Sequence, residues 1–483
     1  MGGSAGPDDD GAPDPRRWHI LGVSLVVGFM SLLDVTIVNV AVPSMQRGLE
    51  TSSSTIQWVV SGYALTFGLT LVAGGRLGDA FGRRRLMVVG LAAFIVSSAA
   101  VGLAPTAETV VVARLLQGAS AGLLTPQNSG LIQQLFTGAE RGRAFGLFGF
   151  VVSLASATGP VLGGGIIAVA GGDDGWRWLF LVNVPIGLVA MVGVLRLVPG
   201  RDPEAADSPR DRIDVVGALL LGLAVLCLLY PIVSLEGGQR LPLVLLVGVP
   251  VFAAAFVRWE HRLQRTHHAP LLDVALLRRT PGYAGGLAVG TLYFTGFTGI
   301  LLVLSVWLQD DLDYSALHAG LLLTPFAVGS AVSAPLAGRV VTTIGRPLTV
   351  AALVVMGVGV GLLALLAPGR EGDALVWALL PVLLVAGLGG GAVVSPNLTL
   401  TLADVPPRMG GAAGGAVQTG QRIGSALGAA LLVTVFQVAG LRASLLTALV
   451  VLAAALAVAV VVAVRGARAE PTAEHRHAAA AER

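Results

Sequence analysis

Apolar runs of about twenty residues alternate with short polar stretches along almost the whole chain. A helix rises ~1.5 Å per residue, so a run of that length crosses the ~30 Å hydrocarbon core of a bilayer. Such runs centre near Leu32, Leu65, Ala93, Gly118, Leu154, Val189, Leu223, Val249, Thr295, Val328, Gly357, Leu388, Ala426 and Ala453. The pattern predicts an all-α polytopic membrane protein of fourteen spans. Its densest polar interruption is GRLGDAFGRRR, Gly75 to Arg85, read as a short loop between spans 2 and 3.

Charge orients these spans. Only 12% of the 483 residues are charged, and all 31 basic residues are arginine. With both ends inside, twenty-four arginines fall in cytoplasmic segments, among them Arg76, Arg83, Arg84 and Arg85. Five fall outside: Arg47, Arg177, Arg240, Arg370 and Arg442. Positive charge is retained on the cytoplasmic side, so the asymmetry supports that orientation. Absence of lysine excludes a GxxxxGK[ST] phosphate loop and a Schiff-base lysine. The arginines sit at membrane edges without interleaved aromatics, which argues against nucleic-acid binding. One cysteine, Cys227, lies in a span and leaves no internal disulfide, and the seven histidines show no metal-ligand spacing.

Internal repetition divides the chain. GRLGDAFGR from Gly75 recurs as GRVVTTIGR from Gly338, with Asp79 replaced by Thr342. LLTPQN from Leu123 is echoed by VVSPNL from Val393. The expected order is a disordered cytoplasmic tail (1–17), a six-helix bundle (18–198), a cytoplasmic linker (199–212) and two inserted helices (213–257). A cytoplasmic amphipathic segment (258–281), a second six-helix bundle (282–464) and a cytoplasmic tail (465–483) follow.

Ionisable side chains within the hydrocarbon are costly, so each is a functional candidate. Asp34 in span 1 lies ~13 Å from its outer end and Arg114 in span 4 lies ~10 Å deep, by the helical rise. If these spans are neighbours, the two charges pair, either as a static buried ion pair or as a group whose rearrangement changes proton affinity. Arg422 in span 13 is placed near its inner part, within reach of the interface by snorkelling. Span 5 carries Gly159, Pro160, Gly163, Gly164 and Gly165, a bend with small residues on one face. Asn39, Tyr63, Gln127, Asn128, Tyr293, Phe294, Phe297 and Asn397 are candidates to line a substrate cavity by stacking and hydrogen bonding, or to serve helix packing.

Several segments together resemble a known family. They are GRLGDAFGRRR, DVTIVNVAVP in span 1, QWVVSGYAL in span 2, RLLQGASAGLLTP in span 4, the Gly-Pro motif of span 5 and WRWLFLVNVPIG entering span 6. The chain is similar to the major facilitator superfamily and, within it, to the fourteen-span drug:proton antiporters. The resemblance implies two six-helix bundles plus two inserted helices, with proton coupling at Asp34 and Arg114. It implies gating by Gly75, Arg76, Asp79, Gly82 and Arg83, with Asp79 against the amino end of span 13 and Arg83 bridging the same interface. An antiporter motif at Gly159, Pro160, Gly163 and Gly164 would pack against the second half. The expected function is proton-coupled efflux of a small amphipathic or antibiotic-like molecule by alternating access; the alternatives are an uncoupled facilitator or importer and a non-transporting sensor. The expected partners are a small-molecule substrate, protons and lipid. No nucleic acid, cofactor or metal is expected, the energy source is the proton gradient, and the protein is expected as a monomer in a bacterial cytoplasmic membrane.

Overall fold

Long apolar stretches satisfy their backbone polar groups internally only as helices when water is absent. The computed structural model follows that rule; it describes residues 14–171, 174–200, 214–236, 241–265 and 274–481, and among them there is no strand. The first half comprises α1 (Arg17–Gly48), α2 (Ser53–Phe81), α3 (Arg83–Gly102), α4 (Ala107–Leu135), α5 (Gly138–Ala170), α6 (Arg177–Leu181) and α7 (Asn183–Leu197). Then come α8 (Val215–Glu236), α9 (Gly248–Arg265) and α10 (Val274–Arg279). The second half comprises α11 (Pro281–Val306), α12 (Ala316–Ile344), α13 (Arg346–Leu366), α14 (Gly372–Thr401) and α15 (Gly410–Ala481).

Ten of the described helices are long and apolar enough to cross a membrane, and eleven if the bent pair Gly138–Ser156 and Val161–Ala170 is one span. Helix α4 is as long as α2 yet falls outside that group. Its polar residues Arg114, Gln117, Gln127, Asn128 and Gln133 lower its apolar character, and all are buried. Helix α15 joins two helices across Gly440, where φ is 78°.

The segment expected as a loop at Gly75–Arg85 is mostly helix. Helix α2 runs through to Phe81, and Gly82 alone separates it from α3. Gly82 has φ 93°, a left-handed value that L side chains rarely adopt. Gly345 repeats the device between α12 and α13 with φ 69°. At the opposite helix ends, Ser52, Thr106 and Ser315 accept the backbone N–H groups of Thr55, Thr109 and His318, satisfying otherwise orphan donors.

The expected boundary between residues 257 and 258 falls inside a helix, because α9 continues through Arg258 to Arg265. Of the proposed amphipathic segment, 266–273 lies outside the described residues and Val274–Arg279 is helical. Residues 1–13 and 201–213, most of the expected tail and linker, lie outside them too.

Each half has its own apolar core. In the first, Val27, Met30, Phe67, Leu91, Phe94 and Leu124 pack together, with Ile37, Val59, Trp176 and Phe180 in a second cluster. In the other, Val303, Met356, Leu379, Leu432 and Leu452 gather α11 to α15. The halves meet mainly along α5 on α12 and α2 on α15. Helix α8 covers the second seam, with Val225 and Leu229 packed near Leu65 and Ile423.

Candidate functional site

The deepest polar cluster is built on Asp34, Arg114, Gln117, Asn183 and Ser98. Asp34 and Arg114 are each 1% exposed, and Arg114 Nη1 donates to Asp34 Oδ2 at 2.5 Å. Asp34 Oδ1 also accepts from Gln117 Nε2 at 3.1 Å and Asn183 Nδ2 at 3.0 Å. Arg114 donates onward from Nη1 to Gln117 Oε1 at 2.9 Å and from Nε to the Val59 carbonyl at 3.0 Å. Ser98 accepts from both amides, at 3.0 Å from Gln117 and 3.1 Å from Asn183, and donates to the Phe180 carbonyl at 2.9 Å. Six helices, α1 to α4, α6 and α7, thus join in one network around the Asp34 carboxylate. A buried charge is tolerated when it is both paired and hydrogen-bonded, which is the case here.

Aromatic faces complete the enclosure. Arg114 Cζ stands 4.1 Å from the Tyr63 ring centroid and 5.5 Å from that of Phe180. Tyr63 donates its hydroxyl to the Ser31 carbonyl at 3.1 Å, so its ring belongs to the charge cluster rather than to a free cavity wall. Gln117 is one helical turn from Arg114, a spacing that points to a shared face. Asn183 begins α7 just after the short α6, and it is the one amide in WRWLFLVNVPIG. Ser98 carries no comparable signal in the sequence.

A second cluster closes the end of the bundle that carries Gly82 and Gly345. Asp79 accepts from the backbone N–H of Gly411 at 3.1 Å and of Ala412 at 2.8 Å, in the first turn of α15. A carboxylate is favoured there by the orphan donors and the positive end of the helix dipole. Arg83 Nη2 pairs with Asp79 at 2.9 Å and donates to the Pro407 carbonyl at 2.9 Å, while its Nη1 donates to the Gly130 carbonyl. Gln133 reaches the Leu402 carbonyl at 2.7 Å and Gln418 reaches Ser129 at 3.0 Å, both across the two halves. Ile132, Phe136 and Phe145 pack with Leu398, Leu402 and Val405 around them. Arg76 is buried in the same helix turn region as Gly75, whose position leaves no room for a Cβ against the Gly411 backbone.

Span 5 differs from expectation. Gly159 lies against Thr36 of α1, within the first half, and Gly164 faces open space. Gly163 is buried, and the side chain of Pro160 lies outside the described residues. The close approach to the second half is made by Gly142 and Gly146, which face the Gly338 and Pro335 backbone. The reason is depth: α5 crosses α12 at the Gly82 end, where Gly142 and Gly146 are, and diverges from it toward Gly159.

The proposed cavity residues divide. Gln127 donates to the Gly74 carbonyl at 2.9 Å, Asn128 accepts from Ser24, and Asn397 donates to the Gly286 carbonyl at 2.9 Å, so all three clasp neighbouring helices. Tyr293, Phe294 and Phe297 form one aromatic group with Phe326, Tyr293 lying 15° from the plane of Phe297. The side chain of Asn39 lies outside the described residues. Arg422 does not snorkel: it is twelve residues into α15, with Cζ 4.5 Å from the Phe67 centroid.

Comparison with known proteins fits this geometry. The profile described as Major Facilitator Superfamily matches residues 24–429 and 286–482. The chain belongs to the major facilitator superfamily. This transporter is 38% identical over 418 residues to a probable actinorhodin transporter of Streptomyces coelicolor, covering 85% of this chain and 72% of that protein. It is 38% identical over 413 residues to a puromycin resistance protein of Streptomyces alboniger, covering 84% and 79%. A tetracenomycin C resistance and export protein of Streptomyces glaucescens matches at 32% over 410 residues, covering 84% and 73%. Among solved structures, the human organic anion transporter MFSD10 superposes with a TM-score of 0.67 at 18% identity, over 92% of this chain and 100% of that one. The proton:xylose symporter XylE gives 0.65 at 16% identity, over 92% and 95%. These two likenesses concern the fold alone. The chain is therefore a multi-pass membrane transporter with the major facilitator fold.

Proposed function

We propose that this transporter is a proton-coupled exporter of small amphipathic, antibiotic-like molecules, of the fourteen-span drug:proton antiporter type. The observation that carries the reading is the fully enclosed Asp34–Arg114 pair, held by Gln117 and Asn183, together with a sealed Gly82 end. A proton arriving from outside neutralises the Asp34 carboxylate and cancels the attraction that holds Arg114. Arg114 then swings toward its remaining acceptors, Gln117 and Val59, and the first-half helices shift against the second. Substrate leaves outward in the protonated state; the empty carrier returns, opens the Gly82 end inward and releases the proton there. Proton and substrate thus cross in opposite directions on one cycle of alternating access, without a cofactor.

The fourteen-span count is supported by treating α4, the α6–α7 pair and each limb of α15 around Gly440 as one crossing each. In this reading residues 18–198 and 282–464 are the moving bundles and 213–257 the inserted pair. The Gly82 end and both termini face the cytoplasm of a bacterium, a placement the arginine distribution supports, and the protein acts as a monomer. The names of the Streptomyces relatives, an antibiotic transporter and two resistance proteins, support export as the direction.

The test is efflux in everted vesicles under an imposed pH difference. Substrate accumulation that stops on adding a protonophore supports the reading; accumulation that continues unchanged contradicts it.

A further inference from the structure

Resting on that export reading, we infer that Arg422 recognises an anionic oxygen, a carboxylate or a phenolate, on the transported molecule, and that the carrier prefers such anions to cations. Arg422 lies ~18 Å from the start of α15 at 1.5 Å per residue, too deep for its head to reach the interface. Its described neighbours are the face of Phe67, 4.5 Å away across the seam between the halves, and Tyr63, with which it interacts electrostatically. Among the described residues its guanidinium has neither a carboxylate nor a hydrogen-bond acceptor. Arg114 and Arg83, by contrast, each donate to three or more acceptors. Arg422 is also only partly buried, whereas Arg114 is sealed. Its five N–H donors therefore stand in the seam at mid-depth without a hydrogen-bond acceptor among the described residues.

A guanidinium in that setting is costly to keep, and a planar carboxylate or a phenolate satisfies its fork bidentately or singly. The neighbouring rings are already packed, Phe67 and Tyr63 each being 1% exposed, so the guanidinium is the group left to meet a ligand. Phe67 stacks on Tyr63 with centroids 5.9 Å apart, and Tyr63 in turn lies under Arg114, so Arg422 and the Asp34 pair terminate one aromatic stack. A cation would find nothing comparable in the second half. Over the described residues 281–466 every carboxylate, namely Asp310, Asp311, Asp313, Glu371, Asp373 and Asp404, lies at a helix end or between helices. An anionic substrate is thus held by charge at Arg422, while protonation of Asp34 acts at the other end of the stack.

The experiment compares two xanthene dyes of opposite charge, fluorescein and rhodamine 6G, on the full-length transporter in nanodiscs by fluorescence anisotropy. The wild type is expected to bind fluorescein at least about tenfold more tightly. Arg422→Gln is expected to weaken fluorescein binding by roughly 10- to 100-fold, the scale of a charge-assisted hydrogen bond, and to leave rhodamine 6G unchanged. Arg422→Lys, which keeps the charge but not the fork, is expected to fall between them. Equal or reversed preference in the wild type overturns the inference, and this measurement needs no variant to fold. Unchanged fluorescein affinity in Arg422→Gln overturns it as well. In proteoliposomes, pH-driven export of rhodamine 6G but not of fluorescein overturns the anionic subsite while leaving the export reading intact. Charge-selective binding lost in Arg422→Gln, with no pH-driven flux of either dye, supports the subsite and contradicts the export reading.

Discussion

Replacing Asp79 by asparagine is expected to loosen the closed Gly82 end without unfolding the bundle. The carboxylate now accepts from two N–H groups of α15, Gly411 at 3.1 Å and Ala412 at 2.8 Å, and pairs with Arg83 at 2.9 Å. Asparagine offers one acceptor oxygen and turns an NH2 toward the second donor, so one charge-assisted bond of about 1.5–3 kcal/mol is lost and the other becomes a neutral one. Loss of the helix-dipole attraction removes roughly 0.3–1 kcal/mol more. Arg83 keeps the Pro407 and Gly130 carbonyls, which spares it from becoming an unpaired buried charge. Part of this loss is recovered in the opened state, where water satisfies the same groups. The net shift is about 2–3 kcal/mol toward opening, or roughly 30- to 150-fold in the equilibrium. Spin labels on Ala139→Cys and Ala403→Cys, exposed positions on opposite sides of the seal, report it by pulsed dipolar distances after the buried Cys227 is replaced by serine. A distance distribution identical to that of the unmodified gate would refute the reasoning.

Gly75→Val places a Cβ into the Gly411 backbone, and overpacking of that kind costs about 1–3 kcal/mol. Its expected result is a loss of transport with retained assembly, read by flux and by size-exclusion chromatography; normal flux would contradict the contact. Asn183→Ala removes a donor from Asp34 and from its link to Ser98, and is expected to slow pH-driven efflux by about tenfold or more, as loss of a buried hydrogen bond to a charge implies. Vesicle flux at unchanged expression checks it, and a wild-type rate would return Asn183 to a packing role.

Much of this architecture was legible from hydropathy because lipid forces helices of a set length. Counting residues along two helices brought Asp34 and Arg114 to one depth, and the structure joins them at 2.5 Å. What periodicity cannot distinguish is a polar residue that serves a site from one that clasps a neighbour. Gln117, Asn183 and Ser98 escape the sequence pattern for that reason, while Gln127 and Asn397, open there to cavity lining or helix packing, bond to the Gly74 and Gly286 carbonyls. Charge density misled at Gly75–Arg85: polar residues at a helix end look like loop, but a single left-handed glycine suffices to turn the chain. The Gly-Pro motif of α5 showed where small residues lie, not which helix they meet. That required the crossing geometry of α5 on α12.

Coupling through Asp34 is the centre of the account. Asp34→Asn keeps the shape of the side chain and an oxygen for Gln117 and Asn183, but it cannot carry the charge that alternates between ion pair and proton. In everted vesicles energised by a pH difference, the variant is expected to bind substrate yet fail to accumulate it above equilibrium. Accumulation against the gradient at the wild-type level would contradict the account.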